Sequence, residues 1–322
     1  SIVEYLALSA RDRVMCVLPF HYVYGLSLLH THVAVGGSLV LENRAAFANV
    51  VLEGMQRHRV TGFAGVPSTF ALMLHRSNID GAALPDLRYV TQAGGPMPPA
   101  SIDAWRAKVP HAAFFVMYGA TEAAARLTYL PPEDLDRKPG SIGRPIPGVE
   151  IRVLTDDGRT ALPGEVGELV ARGDNVSAGY WNRPDETVAR FGPDGYRTGD
   201  LGVVDAQGYL FLVGRRHDMI KVGANRVGAR EIENVLCAHP SVLEAAVVAV
   251  PHDMLGEVPV AVVSLRAPLD DAAQALGAFV ADRMPPYKVP DRVMLLDELP
   301  KLPGSGKIAK SSLLDIVVDR SG

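Results

Sequence analysis

Cysteine is nearly absent: 322 residues contain two, Cys16 and Cys237. They stand far apart, each in an apolar run, and no Cys-x-x-Cys spacing occurs. That argues against a disulfide framework and a cysteine-based zinc site, and favours buried free thiols in a reducing, cytoplasmic compartment. Long hydrophobic runs are also missing. No apolar stretch approaches the roughly 18 residues of a membrane span. The opening SIVEYLALSARDR has neither the basic start nor the cleavage pattern of a secretory signal; it reads as a helix entered in mid-fold. Charge of one sign is lacking too. The formal net charge is −4, with 13 basic and 14 acidic side chains in residues 215–322, so neither part is a charged tail. No basic field would gather nucleic acid or an anionic membrane. The phosphate-binding loop of P-loop nucleotide enzymes is absent as well. In KLPGSGKI the glycine required five residues before Gly-Lys is Lys301, and Ile308 stands where Ser or Thr is needed.

What is present is an ordinary globular composition, 48% hydrophobic and 21% charged, in a chain long enough for two or three domains. From 14 to 117 short apolar runs alternate with helical patterns. The strands expected are Met15–Leu18, Ser38–Leu41, Val60–Gly65, Leu87–Ala93 and Ala112–Met117. Helices are expected near 25–34, 45–58, 67–77 and 98–108. Such alternation implies a largely parallel sheet covered by helices. From 139 to 214 the chain is rich in Gly and Pro, with short alternating strands in GVEIRVL, GEVGELVARG and GYLFLVGR, a pattern for a small antiparallel or barrel-like region. A new α+β unit follows Arg215, with Ile232, Val235, Leu236 and His239 on one helical stripe. Strands are expected there at 242–250 and 257–265, then a helix near 271–283. The fold class expected is α/β: a partial large domain over 1–214, then a smaller α+β C-terminal domain over 215–322, with the boundary at 214–218.

The turn Asp205-Ala206-Gln207-Gly208 has good hairpin chemistry. Counting outward places residue 200 opposite about residue 213, so Asp200 and Arg215 emerge at the same end. A carboxylate accepts and a guanidinium donates, which suits a pair of vicinal hydroxyls. On spacing alone the simpler reading is a surface ion pair of little energetic worth.

YRTGDLG followed by GRRHDMIKVGANRVGAREIE resembles the adenylate-forming acyl- and aryl-CoA synthetases, the superfamily of AMP-dependent synthetases and ligases. Further similarities occur in the same order: FHYVYGL (20–26) to the acyl-pocket segment, QAGGPMP (92–98) to the Gly-rich adenine loop, and MYGATEA (117–123) to the Tyr-Gly-x-Thr-Glu motif. GELVARGDNVSAGYWNRPDET (167–187) is similar to the segment ahead of the ribose site, and LPKLPGSGKIAK (299–310) to the C-terminal lysine loop. Each is weak alone; the ordered set is specific and spans residues 14–310.

The resemblance implies a two-step ligase. A carboxylic acid attacks the α-phosphate of ATP to give an acyl-adenylate, and a thiol then displaces AMP. The cofactors implied are ATP/AMP, Mg2+ and coenzyme A, with a phosphopantetheinyl carrier protein as the alternative thiol. It implies that Glu122 holds magnesium, for which one carboxylate suffices, and that Thr121 meets a phosphate oxygen. Tyr118, with Gly119, offers adenine a face opposite the flat backbone of Gly94, Gly95 and Pro96. Asp200 and Arg215 hold the ribose, and Lys307 bridges carboxylate and phosphate. The C-terminal unit would alternate between two poses about a hinge at His217, bringing Lys221, Gly223, Ala224 and Arg226 to the thiol side. His21 lies by the acyl passage or is a polar residue satisfied at a strand end. The plain readings of the rest are a surface lysine at 307, a strand-to-helix loop at 93–99, and a helix capped by Thr121 after YGATE.

The chain departs from the family pattern in several places. No Ser/Thr/Gly-rich loop ending in Pro-Lys-Gly occurs, so a preceding N-terminal part is expected, and 1–322 alone is expected to adenylate poorly. His217 stands where Asp or Lys is usual, which would make alternation pH-sensitive. Ala224 replaces a glycine, and the segment from Lys301 to Lys307 has one residue more than usual and lacks a Thr. His21-Tyr22 follows Phe20 where amino-acid-activating relatives carry Asp. Val23, Tyr24 and Leu26 suit an apolar or aromatic acid. The competing reading is a non-catalytic module that binds AMP or acyl-adenylate.

Overall fold

The computed structural model describes residues 1–302 and 306–319. The chain divides into two compact units. Among the described residues the first holds 1–198, 202–212 and Gly306, and the second holds 199–201, 213–302 and 307–319.

The first unit begins with a single turn, α1 (Ile2–Tyr5), not the longer helix that SIVEYLALSARDR suggested. Ala7 at φ 49 ends it. Strands and helices then alternate: β1 (Arg13–Cys16), α2 (Val23–Ala34), β2 (Ser38–Leu41), α3 (Ala48–Arg57), β3 (Gly62–Gly65), α4 (Pro67–Arg76), β4 (Tyr89–Gln92), α5 (Pro99–Lys108) and β5 (Ala113–Tyr118). The antiparallel β6 (Thr128–Leu130) and β7 (Arg144–Pro145) complete a seven-stranded sheet ordered 2-1-3-4-5-6-7. β1 starts two residues before the apolar run, because Arg13 pairs with Ser38 although its side chain is exposed.

Strand alternation decides the two faces. Met15, Phe63, Val90 and Phe114 point to the side of α3, α4 and α5, where Met55, Phe70 and Trp105 meet them. Val14, Cys16, Ala64, Tyr89 and Phe115 point to the other side, against Leu8 and, from α2, Tyr24 and Leu28. β3 and β4 are buried along their whole length, as a parallel sheet covered on both faces requires. Phe63 lies along Trp105 at 5.7 Å and Phe70 meets it edge-on at 5.1 Å. Truncating such a residue to Ala typically costs about 3–5 kcal/mol.

Next comes the Gly- and Pro-rich stretch. β8 (Val149–Leu154), β9 (Gly167–Gly173), β10 (Phe191–Gly192), β11 (Gly195–Val204) and β12 (Leu210–Arg215) form a second sheet ordered 10-11-9-8, with β12 on β11, and α6 (Pro184–Arg190) lies between β9 and β10 in the chain. At the β11–β12 turn, Asp205 Oδ1 accepts the amides of Gln207 and Tyr209, both at 2.9 Å, and Gly208 takes φ 82.

The second unit opens with a turn at Arg216–Asp218. β13 (Met219–Val222), β14 (Asn225–Gly228), α7 (Ala229–Cys237), β15 (Val242–His252), β16 (Gly256–Leu265), α8 (Ala272–Ala281), β17 (Arg292–Leu295) and α9 (Lys310–Asp319) follow. Its sheet is ordered 14-13-16-15, with β17 parallel to β16. Ala245, Val247, Ala261 and Val263 face Ile232 and Leu236 of α7 and Leu276 of α8. Ala246, Val248, Val260 and Val262 face Leu313 and Val317 of α9. α7 stops before His239, which falls outside the stripe assigned to it. Pro240 disfavours helix at the residue before it; the His239 ring instead accepts the Ser241 amide at 3.1 Å and meets Phe279 edge-on at 4.9 Å.

Candidate active site

The segment YGATEAAAR forms a folded-back loop after β5. No helix follows it. A single 3-10 turn spans Thr121–Ala123 with Ala120, not Thr121, at the cap position, and Ala124 and Ala125 then take φ 47 and 76. Three backbone bonds close the loop: Ala125 N to Ala120 O, Arg126 N to Ala123 O, both at 3.2 Å, and Leu127 N to Tyr118 O at 2.9 Å. Gly119 is where the strands of this loop cross. A Cβ there would stand 2.1 Å from the Ala125 carbonyl oxygen, so any side chain is excluded. Asn175 ties the far side, donating to Ala123 O at 3.0 Å and Arg126 O at 2.7 Å.

This loop presents Glu122. Its Oε1 accepts a hydrogen bond from the Tyr180 hydroxyl at 2.6 Å, and its carbonyl accepts the Ser177 amide at 2.8 Å. Burial and then the Glu122 carboxylate push the Tyr180 hydroxyl up to about 12. Burial first and then the Glu122 charge raise Tyr196 as well. Both hydroxyls therefore stay protonated, and Tyr180 donates to orient the carboxylate. Thr121 is exposed; Tyr118 is only 9% exposed, packed with Ala123, Leu127 and Ile142. The loop after β4 is shaped by Gly94, which takes φ 85 and passes under Tyr22, whose hydroxyl oxygen a Cβ would meet at 2.3 Å. Gln92 Nε2 donates to Gly95 O at 2.8 Å, leaving Gly95 and Pro96 exposed. His21 is exposed ahead of α2.

A second cluster lies in the second unit. Arg215 Nε donates to Asp200 Oδ1 at 3.1 Å, with Arg215 half exposed and Asp200 largely covered. As a contribution to stability such a pair is worth about 0–1 kcal/mol. Lys307 joins them electrostatically. Burial first, then the Arg215 charge, lower its ammonium below the ordinary lysine range, while Asp200 opposes both. The ends of its loop are fixed: Leu302 N bonds Lys307 O at 2.7 Å and Ala309 N bonds Pro300 O at 2.8 Å. The neighbouring lysines have other roles, since Lys301 pairs with Glu244 at 2.5 Å and Lys310 with Glu233 at 2.7 Å.

Lys221, Gly223, Ala224 and Arg226, the residues expected on the thiol side, lie on one hairpin. Lys221 and Arg226 face each other across β13 and β14, and Gly223 (φ 57) and Ala224 form its two-residue turn. All four are exposed. His217 lies in the Arg216–Asp218 turn, its side chain outside the described residues. Among the described residues no group of three or more His, Cys, Asp or Glu could hold a metal, and no helix is long and apolar enough to cross a membrane.

Sequence reasoning did not assign Tyr180, Tyr196, Asn175 or Arg126. The first three lie inside the segments GELVARGDNVSAGYWNRPDET and YRTGDLG. Arg126 stands three residues after the last residue of the MYGATEA segment.

Residues 1–181 match the family model described as AMP-binding enzyme, and residues 231–307 match the AMP-binding enzyme C-terminal domain. The chain is 34% identical over 316 residues to an indoleacetate–CoA ligase of Aromatoleum aromaticum, covering 98% of this chain and 61% of that protein. It is 38% identical over 312 residues to a sulfoacetate–CoA ligase of Cupriavidus necator, covering 96% and 60%. The structure of an o-succinylbenzoate CoA synthetase from Bacillus subtilis in complex with ATP and magnesium superposes with a TM-score of 0.84 at 33% identity, covering 97% of this chain and 63% of that one. The chain thus spans about three-fifths of the length of these relatives.

Proposed function

The chain belongs to the AMP-binding enzyme family, and from that premise we propose that it carries out, or contributes the nucleotide-handling part of, ATP-dependent activation of a carboxylic acid. The acid's oxygen attacks the α-phosphorus, the bond to the bridging oxygen breaks, and pyrophosphate leaves. The thiol of coenzyme A then attacks the acyl carbon and AMP leaves. A carrier-protein phosphopantetheine is the alternative acceptor, and the cytoplasm the compartment. The relatives' names, indoleacetate and sulfoacetate, differ too much in body to choose the acid.

The observation that carries this reading is the Asp200–Arg215–Lys307 cluster. An ion pair of little stabilising worth sits with a lysine whose charge it modulates. In this reading Asp200 accepts from the ribose hydroxyls, Arg215 assists, and the Lys307 ammonium neutralises the developing charge between carboxylate and phosphate. Glu122 suits magnesium: a hard oxygen donor, held by the Tyr180 hydroxyl, with substrate phosphate and water to fill the remaining positions. The ion would neutralise phosphate charge there, while the chain's own part is to orient one carboxylate. Tyr118, Gly94, Gly95 and Pro96 are assigned to adenine, Thr121 to phosphate, His21 to the acyl passage, and Lys221, Gly223, Ala224 and Arg226 to the thiol side.

The test pairs ATP–pyrophosphate exchange with calorimetry using AMP and a hydrolysis-resistant acyl-sulfamoyl adenosine. Binding together with exchange supports the ligase. Binding without exchange supports a non-catalytic adenylate-binding module. Absence of binding rejects both.

A further inference from the structure

Arg126 is a buried cation with no carboxylate partner among the described residues. It is 2% exposed, and its Nε and Nη1 have no hydrogen-bond partner among those residues. The groups around it are aromatic. Its guanidinium carbon lies 5.4 Å from the centre of the Tyr24 ring. Burial raises the Tyr5, Tyr22 and Tyr24 hydroxyls, and the Arg126 charge pulls each of them down. No carboxylate among the described residues pairs with it. A guanidinium does not give up its proton in a protein, so the charge persists in a place where an unpaired charge is costly.

The backbone around it is strained as well. Ala124 and Ala125 both take positive φ, a region alanine disfavours. Asn175 clamps the carbonyls on either side, and Gly119 gives up its side chain to make room. A strained loop that delivers an uncompensated buried charge has the character of a site preorganised for a ligand.

We propose that Arg126 receives a second anionic group, a carboxylate or sulfonate, carried by the acid that the protein activates. The inference rests on the ligase reading above and names its substrate class. The apolar or aromatic acid expected from Val23, Tyr24 and Leu26 becomes an acid with such a body and a distal anion. Tyr24, over which Arg126 sits, belongs to the segment that resembles the acyl pocket, and Arg126 is not among the residues assigned to the nucleotide.

The test uses three acyl-sulfamoyl adenosines that share one aryl body and end in carboxylate, sulfonate or methyl. They are titrated into the 322-residue chain, Arg126→Leu and Arg126→Lys, with AMP as reference. The parent is expected to bind at least one anionic analogue about 10- to 100-fold more tightly than the methyl one. Arg126→Leu is expected to lose that preference, keep its affinity for AMP, and melt at or above the parent when ligand-free, because a stranded charge is gone. Arg126→Lys should keep part of the preference. Equal binding of all three analogues by the parent, or a preference that survives in Arg126→Leu, overturns the inference and leaves the nucleotide reading standing. Failure to bind any analogue or AMP removes both. An Arg126→Leu chain that melts well below the parent and loses all analogues alike marks Arg126 as structural and overturns the inference.

Discussion

The Tyr180 hydroxyl stands 2.6 Å from Glu122 Oε1 across 58 residues of sequence. It fixes the one carboxylate that the loop after β5 offers to solvent and ligand. Removing a donor that orients a metal-binding carboxylate typically costs 10–100-fold in metal affinity. Tyr180→Phe is therefore expected to weaken magnesium-dependent ATP binding about 10-fold while leaving magnesium-free AMP binding unchanged. Calorimetry with and without magnesium measures both; an equal loss in the two titrations contradicts the assignment.

Gly119 tolerates no side chain, because its Cβ would collide with main chain and not with a movable side chain. Gly119→Ala is expected to destabilise by about 2–3 kcal/mol. Gly95→Ala serves as the control, since its Cβ would find only ordinary contact with Pro67 at 3.4 Å. Urea denaturation of the two variants should separate them clearly.

Asp12 supplies an acid-sensitive contribution to stability. Burial raises its carboxyl, but hydrogen bonds from Arg88, Ser9 and Thr61 outweigh burial and leave it below the ordinary value. A lowered folded-state pKa means stability that is present above the unfolded pKa, about 3.9, and is lost as pH falls through the folded one. Asp12→Asn is expected to cost about 2 kcal/mol at neutral pH. It should also flatten the loss of stability below pH about 4. Chemical denaturation across that range gives the slope, and an unchanged slope contradicts the assignment.

Lys307 responds to its two charged neighbours with opposite signs. Arg215 lowers its pKa and Asp200 raises it. Arg215→Gln should move the midpoint of Lys307 acylation upward in pH, and Asp200→Asn should move it downward. Peptide-level mass spectrometry across alkaline pH reads both. Shifts in the same direction contradict the cluster.

Much of this was legible in the sequence because it is local or periodic. The switch of faces between Val14 and Met15 follows from a two-residue period, and the meeting of Asp200 with Arg215 follows from the turn at Asp205–Gly208. The grip of Tyr180 on Glu122 was not legible, because contacts between distant loops leave no periodic trace. Nor was the fold-back after YGATE. Alanine is a strong helix former, and an Ala-Ala-Ala run predicts a helix, yet tertiary ties from Asn175 hold two of those alanines at positive φ. The hairpin at 219–228 was not legible, because Lys221, Asn225 and Arg226 occupy its exposed positions and only Ile220, Val222 and Val227 give it an apolar side. The isolation of Arg126 could not be read either, since its position in the chain says nothing about which carboxylates lie nearby.

The central claim is that Asp200 and Arg215 hold the ribose of an adenosine nucleotide. Titrating AMP and 2′,3′-dideoxy-AMP into the chain and into Asp200→Asn tests it most directly. The account predicts that the parent binds AMP at least about 10-fold more tightly than the dideoxy nucleotide and that Asp200→Asn does not distinguish them. Equal affinity of the parent for both nucleotides, or the same preference in Asp200→Asn as in the parent, would contradict it.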